Sequence, residues 1–168
     1  MSEAKSEARS GRFRFRINSY YCKDLNLSVQ SVPIPGVQLN NFPMYVKGKG
    51  LNLPDNNLTY DPITIQFIVS EDFSEWFEIY SWLYQAANGV TSGDNSYYEY
   101  EHNCTLTILD GNNQPIIEYT YFACVPSDLE SIGVSYVDDS RVLTSSLVIN
   151  FSTMRVKNMI TGDVIEDI

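Results

Sequence analysis

The sequence is poor in the residues that most chemical sites need. Its 168 residues contain one histidine and three cysteines, and no Lys or Arg occurs between Gly50 and Ser140. His102 has no second ligand or nucleophile near it in the sequence, so we interpret it as a strand-end or surface side chain. Nucleophile-elbow, Cys-x-x-Cys, EF-hand and dinucleotide-binding motifs are all missing from the sequence. The sequence therefore predicts a protein that is not an enzyme and that has no catalytic residue, metal site or cofactor.

The cysteines and the apolar segments indicate the cellular compartment in which the protein is made. Cys22, Cys104 and Cys124 are an odd number without short spacing, which argues against a disulfide framework and favours small buried side chains in a reducing compartment. No apolar run approaches the ~20 residues of a membrane span. The first residues, MSEAKSEARSGR, are polar and lack the apolar core of a signal peptide. We expect a protein that is made in a cytoplasm, leaves it only by lysis and has no membrane partner.

Negative charge dominates what is present. There are 21 acidic against 11 basic residues, with a net charge of −10 and a pI of about 4.4. Such a surface repels phosphate, which argues against specific nucleic-acid recognition but would let DNA slide past without binding. The 12 Tyr and 8 Phe are residues typical of half-buried strands and interfaces.

A strand followed by a helix is the strongest pattern in the chain. Ile63 to Val69 alternates between apolar and polar residues, which predicts a strand with one buried face. Asp72 stands three residues before Glu75, a spacing that predicts a helix opened by a capping box and closed near Gly89. Two further carboxylates, Glu71 and Glu78, lie nearby in the sequence. We interpret all four acidic residues as ones that favour a helix N-terminus, and not as a cation site.

The predicted helix has one broad apolar stripe, which we expect to be its core face, opposite Glu75, Glu78, Ser81 and Gln85. The stripe residues recur at spacings of three and four, and they are Phe73, Trp76, Phe77, Tyr80, Leu83, Tyr84 and Ala87. The sequence gives no other convincing helix.

The first strand pattern carries a cationic face. Phe13, Phe15 and Ile17 alternate with Arg12, Arg14 and Arg16. Two interpretations are open for the arginines: an edge that pairs with an acidic neighbour, or a solvated strand face.

The remaining patterns also favour strands. Leu25, Leu27 and Val29 alternate, and the sequence KGKG between Phe42–Val46 and Gly50–Leu53 predicts either a long hairpin or an extended loop. Further strands are predicted at 103–109, 116–125 (ended by Pro126), 131–137 and 143–156. We expect a mainly β protein, an antiparallel β-sandwich or barrel with one flanking α-helix. Its parts would be a flexible arm at 1–11, a domain at 12–156 and a tail at 157–168.

The succession of these segments resembles the tail tube protein of contractile-tailed (T-even-type) bacteriophages. The resemblance covers roughly Arg12 to Val156 and is carried by LNLSVQSV, the turn Pro33-Ile34-Pro35-Gly36, the Leu-Thr-Tyr strand from Leu58, the helix with Trp76 and Trp82, and the last alternating strand. The chain continues to Ile168, whereas such tube proteins tend to stop at that strand. This extension leaves open a baseplate-proximal or tail-completion relative.

The resemblance implies a structural virion protein, assembled in the host cytoplasm, that forms stacked hexameric rings and a conduit for DNA ejection. Its partners would be sibling copies, tail sheath and baseplate or terminator proteins, with DNA passing through the lumen unbound. The family's inter-ring loop corresponds here to Phe42–Leu58, and the residues expected to act in it are Phe42, Lys47, Lys49, Leu51, Leu53 and Asp55. The arginines Arg12, Arg14 and Arg16 would form an inter-subunit edge.

Two other functions stay open from the sequence. One is a tube subunit of a secretion system, similar to the haemolysin-coregulated protein or to a contractile bacteriocin tube. The other is a monomeric β-sandwich that binds a carbohydrate or peptide through the tyrosines of the segment Tyr97–Tyr100. The alternative for those tyrosines is packing in a core or interface.

Overall fold

The computed structural model describes residues 11–18, 22–89, 102–137 and 141–166. Within these residues the chain forms two helices, α1 (Lys23–Ser28) and α2 (Ser74–Gly89). It also forms ten strands: β1 Phe13–Asn18, β2 Val29–Ser31, β3 Val37–Val46, β4 Lys49–Tyr60, β5 Ile63–Ile68, β6 His102–Leu109, β7 Pro115–Leu129, β8 Thr144–Asn150, β9 Thr153–Asn158 and β10 Val164–Glu166.

Two antiparallel sheets share the long strand β7. The first half of β7 pairs with β6 on one side and β9 on the other, giving the order β1-β6-β7-β9-β10. Its second half pairs with β8, giving the order β7-β8-β5-β2. The chain is therefore mostly β with one long helix, a near-closed antiparallel barrel or sandwich, as the sequence predicts.

A bend in β7 carries the chain from one sheet to the other. Ala123 has a φ of 53°, a left-handed conformation, and the register between β6 and β7 shifts beside it. The opposite strand breaks at the same level, since β8 ends at Asn150 and β9 begins at Thr153. The predicted single strand 143–156 is thus two strands on different sheets. Pro126 does not end β7, because it lies at a second register shift and the strand continues to Leu129.

The core lies between the sheets and under α2, and it contains the alternating positions that the sequence identified. Phe15 and Ile17 of β1 are buried, as are the odd-numbered residues of β5. The cysteines are free and fully buried, which confirms the prediction of small buried side chains: Cys22, Cys104 and Cys124.

The predicted strand at Leu25–Val29 is wrong for most of its length, because this segment forms the helix α1. Leu25 is fully buried, and the Asn26 side chain accepts from Ile17 N–H at 2.8 Å and donates to Ile17 C=O at 3.0 Å. These bonds hold α1 against β1. Residue spacings of three and four connect Cys22, Leu25 and Val29, so Leu25 and Val29 fit a helical turn as well as an alternation.

The prediction for the inward face of α2 is also wrong for most of its residues. The buried side chains are Glu75, Ile79 and Trp82, with exposed fractions of 2%, 0% and 1%. Of the predicted core residues, only Leu83 packs against the core, and it is partly buried. Trp76 is partly buried, and the others are exposed: Phe73, Phe77 and Tyr80. The helix has apolar residues on two faces. Because the buried face includes Glu75, the sequence pattern indicated the other face as the one that packs on the sheets.

Strands β3 and β4 form a separate two-stranded ribbon, which settles the hairpin alternative. Lys47 and Gly48, with φ of 48° and 77°, make the turn at its tip, and Val46 pairs with Lys49. The ribbon pairs with neither of the other sheets. At about 3.3 Å per residue, the ten residues of β3 give a ribbon roughly 33 Å long.

Two further segments differ from the prediction. Residues 131–137 form no strand, and Val134, Tyr136 and Val137 are strongly exposed there. At the C-terminus, part of the predicted tail pairs in register, because β10 lies antiparallel to β9.

Candidate assembly surfaces

The described residues give no sign of a catalytic or metal centre. No group of three or more His, Cys, Asp or Glu side chains in them could hold a metal ion. No helix among them is long and apolar enough to cross a bilayer. The notable features are instead uncovered surfaces that a folded chain normally buries.

The first surface is the apolar face of the β3–β4 ribbon. Opposed residues of an antiparallel pair, and residues two apart on one strand, point to the same side. The pairs Phe42↔Leu53 and Met44↔Leu51 therefore share a face with the last pair, Val46↔Lys49. We call Phe42, Met44, Val46, Leu51 and Leu53 the ribbon face.

The ribbon face is largely open to solvent. Phe42, Met44 and Leu51 are exposed by 47%, 46% and 51%. An isolated two-stranded hairpin is only marginally stable in water, so such a face needs a partner surface. The loop residues predicted from the sequence all lie on this ribbon, with Lys47 and Lys49 at its tip and Asp55 toward its base.

The second surface is a groove between α2 and the end of β7 with the residues that follow it. Its open volume is about 690 Å³, and its lining includes Phe73, Trp76, Tyr80 and Leu83 on one side and residues 127–132 on the other. The rings of Trp76 and Tyr80 stack with centroids 5.2 Å apart and planes within 5°. We call this the α2 groove.

Acidic groups line one side of the α2 groove. Asp128 and Glu130 are exposed lining residues, and the Glu130 N–H donates to Ser146 C=O at 2.9 Å. That bond fixes the backbone beside the two carboxylates. The groove is therefore aromatic on its helical side and anionic on its strand side.

The third surface is the edge of β1, which α1 covers in part because the Asn26 side chain bonds to the N–H and C=O of Ile17. Strand β1 ends the sheet order, pairing only with β6 among the described strands, and Arg14 and Arg16 are exposed on it. Arg12 differs from them, because its Nη1 donates to Asp110 C=O at 3.1 Å within the chain. Arg12 is therefore bonded within its own chain, and the inter-subunit role of the three arginines stays a prediction.

Two carboxylates join the helices, which the sequence did not predict. Glu78 Oε2 accepts from Leu25 N–H at 3.0 Å, and Glu75 accepts from the Ser28 hydroxyl and from the hydroxyl and N–H of Ser70. The predicted capping box is wrong, because Glu75 reaches Ser70 rather than Asp72. Asp72 instead accepts from Ser74 N–H at 3.2 Å.

The pKa values of three buried or half-buried groups follow from their surroundings. Burial raises the pKa of Glu75, but the hydrogen bonds from Ser70 and Ser28 outweigh burial and the net pKa lies below its ordinary value. A hydrogen bond with Cys124, together with burial, raises the pKa of the Cys104 thiol. Partial burial lowers the pKa of His102, whose ring lies 5.2 Å from that of Trp82. None of these groups lies in an assembly surface.

Some predicted features lie outside the described residues. They are the tyrosine segment Tyr97–Tyr100, residues 1–10 of the N-terminal arm and the last two residues of the tail. Their proposed roles stay predictions.

Comparison with solved structures supports the fold. A chain from the tube-terminating cap of the anti-feeding prophage aligns with a TM-score of 0.67 and 9% identity, covering 93% of this chain and 94% of that one. A chain from the sheath–tube complex of an extracellular contractile injection system (PVC) gives 0.64 at 12% identity, covering 91% and 93%. A chain from the anti-feeding prophage baseplate gives 0.65 at 15% identity, covering 92% and 98%.

Sequence comparison identifies the family. The chain is 30% identical over 118 residues to the tail tube terminator protein of Enterobacteria phage T4, an alignment that covers 68% of this chain and 67% of that protein. The family model described as phage tail tube protein matches residues 2–157. The chain therefore belongs to the phage tail tube protein family, a family of structural proteins of the phage tail.

Proposed function

We propose that this protein is a terminator-type tail tube subunit, whose copies close into a hexameric ring at the end of a tail tube and leave a bore for DNA. It acts by assembly and catalyses no reaction. The observation that carries the proposal is the set of surfaces that one chain leaves wholly or partly uncovered: the β1 edge, the ribbon face and the α2 groove. The likeness to the T4 tail tube terminator favours the end of the tube over its length.

Strand edges give a physical reason for a ring. An open edge with unpaired N–H and C=O groups is an aggregation hazard in a monomer, and closing the edges around a ring removes it. The β1 edge presents Arg14 and Arg16, and the protein as a whole carries a net charge of −10. A cationic edge in an anionic protein is attracted to the acidic surface of a sibling copy.

The proposed place at the end of a tail tube implies which proteins the ring contacts. A terminator-type ring would contact the last ring of the tube on one side, and the sheath or its end protein on the outside. Related chains were seen in a sheath–tube complex and in a sheath/tube terminator, which supports these partners. DNA would cross the bore without specific binding, because most of the surface charge is negative.

A second candidate is the main tube subunit, which stacks ring upon ring. The ribbon favours it, since a long apolar ribbon suits a repeated contact. Such a head-to-tail contact generates a filament when it does not close.

Negative-stain electron microscopy of the purified protein distinguishes these candidates. A terminator predicts single closed rings that stay short at high protein concentration, whereas a tube subunit predicts filaments. Monomeric particles at every concentration would contradict both and favour the monomeric binding module.

A further inference from the structure

One face of the sheet β1-β6-β7-β9-β10 gathers positive charge. Phe15 and Ile17 of β1 are buried, so the alternate residues Arg14 and Arg16 point to the other side of the sheet. Directly opposed residues of an antiparallel pair share a face, and the register therefore continues this side across β6, β7 and β9 in two rows. The rows are Arg14–Thr107–Glu118–Lys157 and Arg16–Thr105–Thr120–Arg155. We call these eight residues the cationic face.

Each row begins and ends with a cation. Arg14, Arg16 and Lys157 are exposed, and Arg155 is half-buried with its guanidinium 5.5 Å from the ring centroid of Phe122. Four of the 11 Lys and Arg residues of the whole chain thus lie on one side of one sheet. In a protein with a net charge of −10, such a concentration gives this face a local potential opposite to that of the whole protein.

Two carboxylates share this side of the sheet without balancing the cations. Glu118 is half-buried inside the first row, next to Lys157. Glu166 of β10 pairs with Arg155 at the margin of the sheet. Along the described strands of this sheet, four cations therefore stand against two carboxylates.

The spacing of the cations indicates the size of the ligand. Neighbouring strands lie about 4.8 Å apart, so the three steps from β1 to β9 separate the two cation pairs by roughly 14 Å. A single small anion cannot bridge that distance, whereas a polyanion can contact both pairs. Duplex DNA carries one negative charge per ~1.7 Å of its axis, and its phosphates are bound mainly by Arg and Lys.

We propose that the cationic face binds the phosphate backbone of duplex DNA. Arg14 and Arg16 contact phosphates on one side of the face, and Arg155 and Lys157 contact phosphates on the other. This inference rests on the proposed function for the place of the DNA, because it names the side of each copy that the ring turns toward the bore. Phosphate contacts carry no sequence information and permit sliding, so they agree with passage of DNA without specific recognition.

Fluorescence anisotropy with a labelled DNA duplex tests the contact on the full-length protein. Arg155→Gln/Lys157→Gln is the informative variant, because Arg14 and Arg16 also lie at the β1 edge. At about 50 mM salt we expect it to bind about tenfold more weakly than wild type, for two duplexes of unrelated sequence alike. The slope of log affinity against log salt should become shallower by about one or more, since phosphate contacts are lost.

Lys47→Gln/Lys49→Gln is the matched control. It removes the same charge from exposed residues at the ribbon tip, outside the cationic face, and should bind within about twofold of wild type. Glu118→Gln changes the same face in the opposite sense, so it should bind DNA more tightly than wild type. A thermal melt and sedimentation velocity on each variant separate a loss of DNA binding from a loss of folding or assembly.

The outcomes separate this inference from the proposed function. If wild type forms rings but binds no duplex at about 50 mM salt, or binds it as weakly as Arg155→Gln/Lys157→Gln does, the DNA contact is wrong while the ring stands. If that variant loses assembly and keeps its affinity for DNA, the face is a protein contact and the inference is wrong. If the protein binds DNA through this face but stays monomeric, the ring is wrong.

Discussion

The Ser28 hydroxyl donates a hydrogen bond of 2.7 Å to Oε1 of Glu75, and this bond joins the two helices across a buried site. Glu75 is 2% exposed and also accepts from Ser70. A buried carboxylate without partners is very costly, whereas one that receives several hydrogen bonds is stable in its charged form. Glu75 therefore fixes α1, the start of α2 and the end of β5 relative to one another.

Glu75→Ala should destabilise the fold. The substitution leaves the Ser70 N–H and the Ser28 hydroxyl without their carboxylate, and an unsatisfied buried polar group costs about 1–3 kcal/mol. Chemical denaturation measures the change in free energy of unfolding. Glu71→Ala is the control, because Glu71 is exposed near the same helix end. An equal effect from both substitutions would contradict the role given to Glu75.

The same carboxylate predicts a pH dependence. Its pKa in the folded protein lies below the ordinary value of 4.5, so the unfolded chain takes up the proton first as the pH falls. The stabilisation is fully present above about pH 4.5 and is lost as the pH falls through the lower, folded-state pKa. Unfolding free energies of wild type and Glu75→Gln should therefore converge as the pH falls below 4.5. A difference that stays constant down to pH 3 would argue against this carboxylate as the source.

The two tryptophans should behave differently on truncation. Trp82 is 1% exposed, and Trp82→Ala should lower the free energy of unfolding by about 3–5 kcal/mol through lost packing and a cavity. Trp76 lies in the groove, so Trp76→Ala should lower it by only about 1 kcal/mol, through loss of its stacking on Tyr80. Denaturation of both variants measures the contrast. A larger loss of unfolding free energy for Trp76→Ala than for Trp82→Ala would indicate that the aromatic stripe is the core face after all.

Native cysteine reactivity checks the core. All three thiols are fully buried, and the pKa of Cys104 is raised by its hydrogen bond with Cys124 and by burial. The thiolate is the reactive form, so an aromatic disulfide reagent should react at least ~100-fold more slowly with the native protein than with the denatured protein. Three thiols should be counted after denaturation. Rapid reaction of any thiol under native conditions would contradict its burial.

Charge reversal at the β1 edge tests the inter-subunit role of the arginines. Arg14→Glu/Arg16→Glu should leave the melting temperature within a few degrees of wild type, because both residues are exposed, yet weaken assembly in sedimentation velocity. Arg155→Glu is a suitable comparison, since its guanidinium lies 5.5 Å from the Phe122 ring centroid, away from this edge. Normal assembly of the double variant would contradict this role and would indicate that the arginines form a solvated strand face.

Periodicity predicted the strands well because alternation reports which residues face a core. Phe15, Ile17, Ile63, Ile65 and Phe67 are all buried as expected. The pattern cannot report where a strand changes sheets, and so the bend at Ala123 and the break before Thr153 were not predicted. Both depend on contacts between distant parts of the chain.

The aromatic stripe on α2 shows why helical periodicity was less informative. A row of aromatic residues has the same spacing whether it packs on the chain's own sheets or is exposed at the surface of the chain. Phe77 is 67% exposed, whereas Ile79, two residues later, is fully buried. Glu75 lies on the buried face, and its partners Ser28 and Ser70 are brought together only by the folded chain. The ribbon shows the same ambiguity. The sequence located it, but did not indicate whether its apolar face packs on the chain itself or on another surface.

Native mass spectrometry of the purified full-length protein tests the central claim most directly, because it counts copies without assuming their arrangement. The account predicts a dominant species of six chains that shifts toward monomers when Arg14 and Arg16 are replaced by Glu. A protein that stays monomeric at concentrations of tens of micromolar would contradict it.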